Sequence, residues 1–112
     1  MTRAELIAAL EAAKGPSDDL DLATAEWCYQ NGGIAGVNYD PQLWVWRRGG
    51  NFTSIIDAAL TLVPEGYQAV IWTAGAADVF ASTPGVHVYD PTQAATPAIA
   101  LCAAALKARN ET

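Results

Sequence analysis

Arg47 and Arg48 have the most distinctive chemistry in this sequence, because they are the only basic residues between Lys14 and Lys107. Two glycines follow them, and glycine lets a backbone approach a ligand closely. Guanidinium groups bind phosphate through paired hydrogen bonds, in a planar geometry that lysine lacks. The pair therefore predicts a site for a phosphate-bearing ligand. The alternative is a solvated arginine pair at the end of a strand, whose aliphatic stems cover aromatic surface.

Aromatic side chains precede the arginine pair, at Tyr39, Trp44 and Trp46. If this piece of chain is extended, the two tryptophans point to the same side. Aromatic rings stack on nucleotide bases, so the combination predicts a nucleotide-like ligand, with arginines on its phosphate and rings on its base. The alternative use of these rings, and of Trp72, is packing in the core or in an interface.

Patterns for catalysis or metal binding are weak by comparison. His87 is the only histidine, so one subunit cannot assemble a histidine-based triad or a site with several histidine ligands. Asp18, Asp19 and Asp21 lack the glycine and the distant glutamate of a calcium loop, and a helix N-terminus accounts for two of them. The sequence therefore predicts a non-enzymatic protein without a cofactor or a bound metal.

The two cysteines, Cys28 and Cys102, lie in apolar helical contexts without a second cysteine at zinc-binding spacing. Free cysteine is among the most often buried residue types. We expect two buried, reduced thiols, with a structural disulfide as the alternative.

The composition is that of an acidic chain rich in apolar residues. Of its 112 residues, 52% are hydrophobic and 16% are charged, with a net charge of -6. This length supports one core, which predicts a single domain over residues 1–112. The negative charge argues against general nucleic-acid binding and leaves a small ligand or a basic protein surface as partners. No membrane helix or signal peptide is readable, which predicts a cytoplasmic protein without membrane association.

Four helices are predicted from apolar residues at helical spacing. The first begins with the capping box of Thr2 and Glu5 and ends before Gly15, and the second begins after the N-cap Ser17 and ends at about Gln30. Two further helices lie in the second half of the chain.

The third helix is predicted to begin after Thr53 or Ser54 and to end at Pro64. The last begins after the N-cap Thr96, has a proline at its first position, and ends near Arg109. Its broad apolar face predicts extensive burial.

Segments rich in valine, isoleucine and aromatic residues predict three short strands, at Tyr67–Thr73, Asp78–Ser82 and Val86–Tyr89. Asp90 and Pro91 are predicted to leave the sheet. The order α-α-loop-α-β-β-β-α then predicts an α/β fold, an α-β-α layered sandwich around a small three-stranded antiparallel sheet. The sheet has exposed edges, which favour a homodimer or cover by residues 31–51.

Three segments of the chain resemble those of a known family. They are Ala13-Lys-Gly-Pro16, the block Phe52-Thr-Ser-Ile-Ile-Asp-Ala-Ala-Leu-Thr-Leu-Val-Pro-Glu-Gly-Tyr67, and the closing Thr96-Pro-Ala-Ile-Ala-Leu-Cys-Ala-Ala-Ala-Leu-Lys-Ala-Arg109. Together they resemble small phage and prophage accessory proteins of the phage ABA sandwich type. The resemblance implies an α-β-α sandwich and carries no catalytic residues.

Phage accessory proteins of this size often inhibit host defence. The resemblance therefore implies one of two actions in an infected bacterium, capture of a nucleotide immune signal or blocking of a host protein. A structural phage protein is a further alternative. Residues 31–51 depart from the family pattern, so the resemblance does not extend to the arginine pair.

Overall fold

The computed structural model describes residues 2–31, 52–64, 66–81 and 91–109. Within these ranges the chain forms four helices and three strands. In chain order they are α1 (Arg3–Ala12), α2 (Asp18–Gln30), α3 (Ile56–Leu60), β1 (Tyr67–Trp72), β2 (Ala76–Ala81), β3 (Thr92–Gln93) and α4 (Pro97–Ala108). None of these helices is long and apolar enough to cross a bilayer.

The predicted caps of α1, α2 and α4 are confirmed. Thr2 and Glu5 form a reciprocal capping box, in which each side chain accepts a hydrogen bond from the other residue's backbone N–H. The Ser17 hydroxyl accepts from the backbone N–H of the third residue of α2 at 3.2 Å, and Thr96 does the same for α4 at 3.2 Å. Local sequence therefore determines where these three helices begin.

The prediction for α3 is wrong at both ends. Ile55, which has no capping side chain, occupies the N-cap position, so neither Thr53 nor Ser54 caps this helix. The helix ends after five residues, and the chain continues in tight turns, with Val63 N–H bonded to the carbonyl of Leu60 at 3.1 Å. Thr53 does not cap α3 because its hydroxyl is hydrogen-bonded to Asp21 of α2, which is distant in the sequence.

The three strands form one antiparallel sheet in the order β1-β2-β3. In the hairpin between β1 and β2, Trp72 stands opposite Ala76, and Gly75 N–H donates to the Trp72 carbonyl at 3.1 Å. Gly75 has a φ of 94°, and a Cβ at this position would lie 2.6 Å from the carbonyl oxygen of Ala94. Glycine is required here by both the backbone conformation and the close approach of a neighbouring segment.

Two strand predictions differ from the structure. The second strand begins at Ala76, two residues before the predicted Asp78, because the turn is completed at Gly75. The predicted strand Val86–Tyr89 lies outside the described residues. Thr92–Gln93, where the chain was expected to have left the sheet, pairs with the first residues of β2.

Helix α4 is the centre of the core. Every residue from Ala98 to Leu106 is buried, so the helix is covered on all sides. Its contacts with the sheet are mainly with β2, while α1 and α3 pack against α4 itself, so α4 separates these helices from the sheet. The predicted mixed α/β class with a three-stranded antiparallel sheet is confirmed.

The sheet turns one row of side chains toward this core. Ala77 and Val79 of β2 are buried there, and Tyr67, Ala69 and Ile71 of β1 pack beside them. The intervening residues point to the opposite face because side chains alternate along a strand. Trp27 of α2 is 6% exposed and also belongs to the core.

Candidate functional site

The predicted ligand-binding residues lie in one unbroken stretch outside the described residues. This stretch holds Tyr39, Trp44, Trp46, Arg47 and Arg48. The structure does describe the chain on both sides of the stretch, where the polypeptide enters and leaves it. These two flanks are Asn31 before the stretch, and Phe52 and Thr53 after it.

The flank that follows the arginine pair is tied into the core. Phe52 is fully buried, and its carbonyl accepts a hydrogen bond from the Cys102 thiol at 3.1 Å. The next residue, Thr53, donates its backbone N–H to Asp21 Oδ1 at 2.7 Å, and its hydroxyl lies 2.8 Å from the same oxygen. The backbone four residues after Arg48 is therefore fixed to both α4 and α2.

The Thr53 hydroxyl joins this junction to the beginning of α2. It accepts a hydrogen bond from Ser17 N–H at 2.9 Å. The hydroxyl has one proton, and the Asp21 oxygen at 2.8 Å is a closer acceptor than the Ser17 carbonyl at 3.2 Å. Ser17, Asp21 and Thr53 thus form a polar junction that links the first turn of α2 to the segment before α3.

The Asp21–Thr53 pair combines a hydroxyl with a carboxylate, but its burial argues against nucleophilic chemistry. Asp21 is 2% exposed and Thr53 is 0% exposed, so a substrate cannot reach either group in this conformation. Burial raises the pKa of Asp21 above its ordinary value, while the hydrogen bonds from Thr53 act in the opposite direction. The pair is better suited to holding the backbone than to catalysis.

The sequence did not predict this junction. Asp21 was grouped with its neighbours at a helix N-terminus, and Asp18 and Asp19 do lie exposed there. Asp21 lies in the same first turn but on the inner side of the helix. The available signal of burial was its helical spacing, four residues before Ala25 and seven before Cys28, which places Asp21 on the apolar face of α2.

The flank that precedes the arginine segment is the end of α2. Asn31 N–H donates to the carbonyl of Trp27 at 3.0 Å, and the Asn31 side-chain amide donates to the same oxygen at 2.8 Å. These bonds satisfy a carbonyl in the last turn of the helix. Both flanks of residues 32–51 are therefore anchored to the folded core.

The two cysteines are free and buried, as predicted. Burial raises the pKa of Cys28 to about 11. It also raises the pKa of Cys102, and the negative charge of Asp21 adds to that effect. A nucleophilic cysteine requires the thiolate form, so neither thiol is prepared for covalent chemistry at neutral pH.

A half-open cavity of about 170 Å³ lies where β3 stops pairing with β2. The Lys107 ammonium donates to the Thr92 hydroxyl at 3.0 Å and lies 3.4 Å from a carboxylate oxygen of Glu11. The Lys107 ammonium therefore already has a hydrogen-bond acceptor and a carboxylate partner within the protein. The cavity is lined by Asp78, Val79, Thr92, Ala104, Lys107 and Ala108.

The exposed charge of α1 and α2 is predominantly acidic. Five carboxylates on these two helices are exposed, at Glu5, Glu11, Asp18, Asp19 and Glu26. Within the described ranges, no cluster of three or more histidine, cysteine or acidic residues could hold a metal ion. The acidic surface is therefore dispersed rather than gathered into a cation site.

No family model, no curated protein and no solved structure matches this chain.

Proposed function

We propose that this protein acts by binding a small nucleotide-like ligand rather than by catalysis. The observation that carries the proposal is an isolated pair of arginines next to aromatic residues in an otherwise acidic chain. In the bound state, Arg47 and Arg48 hold phosphate, and Trp44, Trp46 or Tyr39 stacks on the base.

The anchored flanks support this proposal. A ligand site gains affinity when the chain that forms it is held in place before binding. Here the chain is held before the segment at Asn31 and after it at Phe52 and Thr53. These anchors fix both ends of the segment that carries the predicted ligand-binding residues.

The resemblance to phage accessory proteins suggests a biological setting for such a site. A protein that holds a nucleotide signal without converting it acts as a sponge and lowers the free concentration of that signal. We propose this action in the cytoplasm of an infected bacterium, against a nucleotide signal of host defence.

Calorimetry and thermal-shift measurements with cyclic nucleotides and ADP-ribose derivatives test the proposal. We expect a saturable response that is lost in the double variant Arg47→Ala/Arg48→Ala. The variant Arg47→Lys/Arg48→Lys keeps the charge but not the guanidinium fork, so we expect it to bind weakly. Lys14→Ala, which removes an exposed base elsewhere, is the matched control and should bind as the parent does.

Two results would reject this function. One is the absence of a response to every nucleotide tested. The other is a response that persists unchanged in Arg47→Ala/Arg48→Ala, since the ligand would then lie elsewhere.

A second candidate function rests on the acidic surface of α1 and α2. Exposed carboxylates on both helices could dock on a basic surface of a host protein. Such an interface weakens steeply with salt, because charges are screened over about 8 Å at physiological ionic strength. A pull-down at low salt should recover a basic partner, and Asp18→Asn/Asp19→Asn should reduce the yield. Recovery that does not change with salt would contradict this function.

A further inference from the structure

We draw no further inference here: the strongest candidate, the half-open cavity between β2, β3 and α4, has its Lys107 ammonium and Thr92 hydroxyl already bonded to each other, with Glu11 as the carboxylate partner of that ammonium, and nothing in the structure shows which ligand it would take.

Discussion

Helix α4 and the Ser17–Asp21–Thr53 junction are both buried, but different forces hold them. Nine consecutive residues of α4, Ala98–Leu106, are buried without one ionisable side chain apart from a thiol. At the junction, a carboxylate is removed from water and compensated by hydrogen bonds from Thr53. The contribution of α4 to the free energy of unfolding comes from the burial and packing of apolar side chains. The contribution of the junction is the difference between the cost of desolvating Asp21 and the gain from its hydrogen bonds.

This difference determines how each region responds to change. A packed helix is sensitive to the volume of its side chains and insensitive to pH. A buried polar group is sensitive to the loss of its partner and to its protonation state. Thr53 of the junction follows Arg48 by five positions in the sequence, so the region of greater chemical sensitivity adjoins the predicted ligand-binding segment along the chain.

The largest expected effect is loss of volume in α4. Leu101→Ala should lower the free energy of unfolding by about 2–5 kcal/mol, because Leu101 is fully buried and a cavity remains. Leu101→Met, which conserves volume, should cost under about 1.5 kcal/mol. Urea unfolding measures both. A loss below about 1 kcal/mol in Leu101→Ala would mean that the core relaxes around the cavity, contrary to the tight packing expected of α4.

Loss of the acceptor at the junction should have the next largest effect. Asp21→Ala leaves the Thr53 N–H and hydroxyl without their bonded partner, and each unsatisfied buried group costs about 1–3 kcal/mol. Asp21→Asn is the matched control, because its carbonyl oxygen can still accept both bonds. We expect the free energy of unfolding to fall by about 2–3 kcal/mol in Asp21→Ala and by clearly less in Asp21→Asn. Equal losses would show that charge, and not the acceptor, holds Thr53.

Much of the fold could be predicted because local signals determine it. Ser17 and Thr96 mark the helix starts that the structure contains, and the apolar run of α4 predicts deep burial. The β1–β2 hairpin follows from two β-rich segments separated by Gly75. In each case the residues that determine the element lie within a few positions of it.

The failed predictions concern contacts between residues far apart in the chain. Thr53 can cap a helix locally or bond to Asp21, 32 residues earlier, and the sequence does not rank these options. Strand β3 has only two residues, too few to show the alternation of apolar and polar residues that predicts a strand. Its position is determined by its pairing with β2. The residues of the proposed ligand site lie between the described ranges, so that site remains a prediction from sequence alone.

The smallest expected effect is the pH dependence of the free energy of unfolding that Asp21 causes. It is also the finest test of how the junction differs from α4. Burial raises the pKa of Asp21 in the folded state above the value in the unfolded chain. Between those two values the folded protein binds more protons than the unfolded chain, so the free energy of unfolding falls as pH rises. This contribution is fully present below the unfolded pKa and is lost as pH rises through the folded pKa. In Asp21→Asn that slope should be absent.

Glu5→Gln provides a control of opposite sign. The hydrogen bonds from Thr2 lower the pKa of Glu5, so its contribution is present above the unfolded pKa and is lost as pH falls through the folded one. Denaturant unfolding from pH 3 to 7 (roughly the carboxylate range) should therefore give difference curves of opposite slope for the two amide variants. If Asp21→Asn shows the same slope as Glu5→Gln, hydrogen bonding outweighs desolvation at the junction. Asp21 would then stabilise the fold in its charged form, as an ordinary hydrogen-bonded carboxylate does. The junction would differ from α4 only in being held by hydrogen bonds instead of apolar packing.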